Sequence, residues 1–212
     1  MSRLFGASVL LAALAAFGLA GATAADKDGD KGWVQLFNGK DLTGWKIHPK
    51  PSGSIQDVVT VEKGGKVVAY EGKLTNGKQV PLWHVEDGVL IGSGPASHLF
   101  SRRGDYQNFR YRVEAQINAT HGDKIRTGSL YLPRVKEVLV LDKAPHKPGE
   151  WFTQEVTAVG NHIVIKVNGK TTVDYKDPKN LHSKGHFALQ GHDPGTVVKF
   201  RKIEVQELPA EK

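Results

Sequence analysis

From Gly32 onward the chain alternates apolar and polar residues with a period of two. Phe109, Tyr111, Val113, Ala115 and Ile117 alternate with Arg110, Arg112, Glu114, Gln116 and Asn118, the pattern of a half-buried antiparallel strand. Ile163, Ile165 and Val167 repeat the pattern and run into Asn168-Gly169. That dipeptide predicts a type I′ hairpin turn, because both central residues must take positive φ. Thr171 to Tyr175 is the return strand, and Gly160-Asn161 predicts a similar turn before it, so 152–175 reads as a three-strand meander. Gly64-Gly65 joins Val58–Glu62 to Lys66–Tyr70 in the same way. Further strands are expected at Trp83–Glu86, Val89–Ile91, His98–Ser101, Leu130–Leu132, Glu137–Leu141, His186–Gln190 and Val197–Leu208. The last changes phase between Phe200 and Ile203, which predicts a bulge. Residues 46–82, with Pro49, Pro51 and Pro81, are expected to hold most of the irregular loops. About a dozen short strands with no helical period predict an all-β sandwich or barrel.

The first 25 residues break this pattern. Arg3 precedes an uncharged apolar run from Leu4 to Ala20, and Ala22-Thr23-Ala24-Ala25 offers small residues for a signal peptidase. Residues 1–25 are therefore expected to be a signal peptide and the protein to be exported, periplasmic or extracellular, with no membrane association after cleavage. The alternative is an anchor helix, for which the run is short. Residues 26–31 then form a flexible new N-terminus, and 32–209 a single domain. Asp26-Lys27-Asp28-Gly29-Asp30 begins like a calcium loop, but Phe37 stands where the closing Glu belongs.

Composition narrows the chemistry. With no cysteine there is no disulfide framework, thiolate metal site or thiol nucleophile. Without Arg3 the chain has 28 basic against 22 acidic residues, a net +6, spread along the sequence. Its densest basic group, Lys199, Arg201 and Lys202, lies in one strand, so no nucleic-acid partner is expected. No Gly-x-Gly-x-x-Gly joins a strand to a helix, so no nucleotide cofactor is expected, and no Gly-x-Ser-x-Gly elbow supports a serine hydrolase. His182 and His186 are four apart, but Ser183-Lys184-Gly185 reads as loop, which argues against a helical metal pair. Parity places His186, Ala188, Gln190 and His192 on one strand face and Phe187 and Leu189 on the other. The apolar face should enter the core, leaving imidazoles and an amide on an open surface. Glu137, Leu139 and Asp142 share a face if a bulge follows Leu139. Trp45, Trp83 and Trp151 are candidates for stacking on sugar rings, with packing the expected role of Trp83.

An ordered series of blocks resembles one family. The run Trp33-Val34-Gln35-Leu36-Phe37-Asn38-Gly39-Lys40-Asp41-Leu42-Thr43-Gly44-Trp45 resembles the opening of the 3-keto-disaccharide hydrolase family, also called the 3-keto-glucoside 1,2-lyase/hydratase domain. Trp83-His84-Val85-Glu86-Asp87-Gly88-Val89-Leu90, Tyr106 with Phe109, Glu137 to Asp142, Gly149-Glu150-Trp151, Val167-Asn168-Gly169, Leu189-Gln190-Gly191-His192 and Phe200 to Ile203 follow in family order. The resemblance implies a concanavalin A-like jelly-roll sandwich of two antiparallel sheets that acts on oxidised glycosides. A ketone at C3 acidifies C2–H, so a base can remove that proton while the glycosidic oxygen leaves C1, and water can then add back. This implies Glu137 or His192 as base, Asp142 as the group orienting a metal or the partner imidazole, and Gln190, Arg134, His186 and Trp151 as substrate contacts. A divalent metal could hold the ketone and enolate oxygens. A separate sugar 3-oxidoreductase is the implied pathway partner. Leu139 replaces the family's Gln, Thr127-Gly128-Ser129 its Asn-Ser-Gly, Phe152 a common Asn, and Pro133 its arginine, which here follows as Arg134. These departures carry the alternative, a non-catalytic carbohydrate-binding or cell-surface module.

Overall fold

A computed structural model describes residues 31–48, 53–117, 122, 125–132, 136–181, 183–191, 195 and 197–210, and the side chains of all of these except 136 and 137. The expected signal peptide and nearly all of the N-terminal segment, and with them Pro49, Pro51, Pro133, Arg134, His182 and His192, lie outside the described residues.

The strands are β1 (Val34–Gln35), β2 (Trp45–Ile47), β3 (Ile55–Lys63), β4 (Lys66–Leu74), β5 (Gln79–Glu86), β6 (Val89–Gly92), β7 (Ser97–Ser101), β8 (Phe109–Gln116), β9 (Leu130–Leu132), β10 (Lys136–Leu139), β11 (Phe152–Val159), β12 (His162–Val167), β13 (Lys170–Lys176), β14 (Ala188–Gly191) and β15 (Val198–Glu207). All pairings are antiparallel, and no helix occurs among the described residues. The back layer is a ten-stranded sheet in the order β13-β12-β11-β8-β15-β6-β5-β4-β3, with β1 added beside β15. The front layer holds a three-stranded sheet, β14-β7-β2, and the ribbon β10-β9. This is the jelly-roll sandwich that the alternation and the family blocks predict.

The turns follow their residues. Asn168 and Gly169 have φ of 49° and 77°, as a type I′ turn requires. Asp87-Gly88 closes β5–β6 the same way, at 48° and 77°. Gly160-Asn161 differs from expectation: only Gly160 is positive, at 56°, the signature of a type II′ turn with glycine first. The bulge predicted in the last strand is real. The β15–β8 register shifts between Arg201 and Glu204, and Lys202 takes a φ of 49°. Residues 46–82 are more regular than the prolines suggest. Pro81 lies inside β5 opposite Glu71, beside a register shift at Tyr70/Glu71, where a missing N–H is tolerated.

The opening block is structural. The Asn38 side chain accepts from the N–H of Lys40 and Asp41 and donates to Asp41, whose carboxylate accepts from the N–H of Thr43. The Thr43 and Asn38 hydrogen bonds hold the Asp41 carboxyl below its ordinary pKa. This closed loop drives Leu42 and Trp45 into the core, where Trp45 Nε1 donates to the Leu36 carbonyl at 2.8 Å.

Tyr111, Val113 and Ala115 of β8 face the core, which joins the two layers. Phe187 packs its ring against those of Tyr106, Phe109 and Tyr111 at 4.4, 4.9 and 4.5 Å. The ribbon lies over the other end of the back sheet: Leu130, Leu132 and Val138 share a small cavity with Ile163 and Tyr175, and Thr172 Oγ1 donates to the Gly128 carbonyl at 2.9 Å. The outer face of the back sheet is ionic. Glu204 is paired to Arg112 and Gln35, while Arg201 and Lys202 converge on Glu114 at 2.6 and 2.5 Å. Burial pushes the Glu114 carboxyl up, but the bonds from Lys202 and Arg201 outweigh it and leave its pKa lowered.

Candidate functional site

The strand β14 behaves as its parity predicts. Phe187 and Leu189 are buried, and His186, Ala188 and Gln190 are exposed on the outer face of the front sheet. Register adds residues that the sequence alone did not bring together. Gln190 pairs with His98 and Ala188 with Phe100 across to β7; Phe100 pairs with Lys46 across to β2. His48 continues the row of His98 and Gln190, its N–H donating to the His98 carbonyl at 2.9 Å. Directly opposed side chains lie about 5 Å apart at Cβ. The Phe100 ring, opposite Ala188 and Lys46, lies 6.0 Å from its same-strand neighbour His98 and 5.9 and 6.2 Å from the diagonal neighbours His48 and His186.

His186 is held at one edge of this face. Its Nδ1 lies 2.7 Å from the Ser101 carbonyl oxygen, which can only accept, so Nδ1 carries a proton and donates it there. Its ring rests on Gly104, where a β-carbon would fall 2.2 Å from Nε2. Gly104→Ala is therefore expected to swing the imidazole off the Ser101 carbonyl while leaving the fold almost as stable, since only a side-chain end must yield. A changed His186 ring resonance in NMR, with an unaltered denaturation midpoint, is the expected outcome. An unmoved ring would show that Gly104 does not set its position.

Beside His186 the front layer opens. A cavity of ≈ 360 Å³ is lined by Tyr106, Phe109, Ala158, Ile163, Lys184 and His186. It adjoins a smaller one of ≈ 70 Å³ that shares Gly160 and Ile163 and is walled by Leu130, Leu132 and Val138 of the ribbon. A groove with an apolar floor thus runs from the approach to β14 toward β10, the strand that carries Glu137.

Gln190 and His186 are brought to one face. Glu137 lies in β10 opposite Tyr131. The β10 register does shift, but between Glu137 and Leu139, so the extra residue is Val138 and the bulge comes before Leu139, not after it. Asp142 lies beyond the strand and is exposed, so the single bulge that would gather Glu137, Leu139 and Asp142 is not the one present. Trp151 is not brought to this face. Arg201 stacks over it at 4.2 Å on the outer side of the back sheet, opposite the front face. Trp45 and Trp83 are fully buried in the core. Phe152, at the place of a common Asn, is 4% exposed and stacks on His146 at 4.0 Å, so that departure serves packing. His48, His98 and Phe100 escaped the sequence reading because strand order, which brings β2, β7 and β14 together, leaves no mark on local alternation.

An all-β sandwich with an imidazole- and amide-bearing front face is a scaffold suited to carbohydrates. Residues 32–206 match the 3-keto-alpha-glucoside-1,2-lyase-like domain, and the chain belongs to that family. Its fold is similar to a putative glycosyl hydrolase from Parabacteroides distasonis, with TM-score 0.56 and 18% identity over 88% of this chain and 99% of that one. It is also similar to an immunostimulatory antigen and pseudo β-1,3-glucanase of Mycobacterium tuberculosis, with TM-score 0.50 and 8% identity over 84% of this chain and 98% of that one. Compared with curated proteins, the chain matches none.

Proposed function

We propose that this protein is an exported enzyme that cleaves 3-keto-glycosides. The observation that carries the reading is the family match over residues 32–206. A base takes the C2 proton, the electrons pass into the C3 ketone as an enolate, and the enolate's return expels the glycosidic oxygen from C1, which takes up a proton. Water adding to the C1–C2 double bond completes a net hydrolysis. Glu137 or His192 is the base, and Asp142 orients the partner imidazole. Gln190 and His186 hold the sugar, with Arg134 at the rim. The substrate must come from a separate oxidoreductase that makes the C3 ketone.

Among the described residues no three His, Cys, Asp or Glu groups form a metal-ligand set, and the Glu137 side chain and His192 lie outside them. Leu139 supports a second reading. It is 40% exposed on β10 where the family's Gln would offer an amide, which suits binding without cleavage. Incubating the secreted protein with a panel of 3-keto-glycosides, with and without divalent cations, separates the two. Release of the aglycone is expected. Sugar binding without release under every cation would favour the binding module.

A further inference from the structure

The four tryptophans of this protein are committed elsewhere. Trp45 and Trp83 are 0% exposed. Trp33 lies under Arg112 and Arg110, at 4.4 and 5.3 Å, and Trp151 under Arg201, at 4.2 Å. On the outer face of the front sheet the aromatic hydrocarbon ring is Phe100, on the central strand β7. Its chain neighbours Leu99 and Ser101 are buried, so Phe100 points away from the core and contributes little to it.

We propose that this face is a pyranose-binding subsite in which a sugar ring lies against Phe100 over the small side chain of Ala188. The register places exposed Ala188 directly across from Phe100, with Gln190 two residues on along β14 and His186 two residues before Ala188, just ahead of the strand. A residue with only a β-carbon there leaves a shallow notch, bounded by Phe100 on one strand and by His186 and Gln190 on the other. Strand repeat makes the His186 to Gln190 span about 13 Å, room for one sugar ring between them. The polar groups stand where a ring's hydroxyls would fall. Gln190 and His98 face each other across the β14–β7 pair, and His48 extends their row. An amide both donates and accepts, and so does a neutral imidazole, which suits hydroxyls of either role. A phenyl ring offers an apolar face to the axial C–H side of a pyranose. His186 borders both the notch and the cavity that leads toward β10, so the notch opens onto that groove.

The subsite rests on the carbohydrate reading for its ligand but not on the cleavage step, and the test keeps the two apart. The probes are methyl α-glucoside and its 3-keto form, titrated calorimetrically into the wild-type chain and into Phe100→Ala, Phe100→Trp and Ala188→Leu. Removing the stacking surface is expected to weaken binding about tenfold. Phe100→Trp should retain it, and Ala188→Leu, which fills the notch without touching the core, should abolish it. Should Phe100→Ala fail to fold, the other two variants decide. Binding unchanged in both Phe100→Ala and Ala188→Leu, or a wild type that binds neither probe, overturns the subsite. Binding that depends on Phe100 without turnover of the keto form keeps the subsite and removes the cleavage reading. Turnover with KM unaltered in both variants does the reverse.

Discussion

Glu137→Gln is expected to cut the rate of 3-keto-glycoside cleavage by about a hundred- to ten-thousandfold, the usual contribution of a positioned general base. The substitution keeps the size and hydrogen-bonding capacity of the side chain and removes only its ability to take a proton. Glu137 lies in β10, whose Val138 walls the groove that leads from His186. The loss should fall on kcat with KM nearly unaltered, because the base acts only as the C2–H bond breaks. Leu139→Gln restores the family's amide and should keep or raise the rate. His192→Ala decides between the two candidate bases: a comparable loss there with a mild one at Glu137 would move the role to the imidazole. Unchanged turnover in both would take the pair out of the mechanism.

What was legible in the sequence, and what was not, divides along the range of the interaction. Strand alternation, the Asn168-Gly169 turn and the β15 bulge are set by neighbours along the chain, and the structure has all three. The outward placing of His186 and Gln190 followed from parity alone, since Phe187 and Leu189 needed the core. Pro81 misled because a proline marks a missing donor, not a loop, and an irregular register can absorb it. The bulge in β10 comes before Leu139, one step ahead of where a shared face for Glu137, Leu139 and Asp142 requires it. Its position depends on which residues of β9 it meets, and Glu137 and Leu139 pair with Tyr131 and Leu130. Trp151, a sugar contact only by the family resemblance, lies under Arg201, fifty residues on, which the β11–β8 and β8–β15 pairings together bring within reach. The rows His48–His98–Gln190 and Lys46–Phe100–Ala188 are of the same kind, since each draws on three strands far apart in sequence.

Trp83→Ala should cost about 3–5 kcal/mol, the usual range for a large aromatic truncated in a core. That is a large share of the roughly 5–15 kcal/mol by which a domain is stable. Trp83 is 0% exposed, stacks on Phe200 at 6.3 Å, and fills the space left by Gly92, where a β-carbon would come 2.6 Å from its ring. It also ties the layers together: it belongs to β5 of the back sheet, and its Nε1 donates to Ser97 Oγ, at the start of β7, at 2.9 Å. Trp83→Phe separates the two contributions. It keeps most of the apolar contact but leaves the buried Ser97 hydroxyl without its donor, a loss of about 1–3 kcal/mol. Because Ser97 opens the strand that carries His98 and Phe100, the Phe variant should also speed amide exchange along β7 ahead of the back sheet. Chemical denaturation and hydrogen exchange measure both effects. A cost below about 1 kcal/mol for Trp83→Ala would contradict the burial on which this account rests. Uniform exchange across both sheets in Trp83→Phe would mean that the indole bond to Ser97 does not pin the front sheet to the back one.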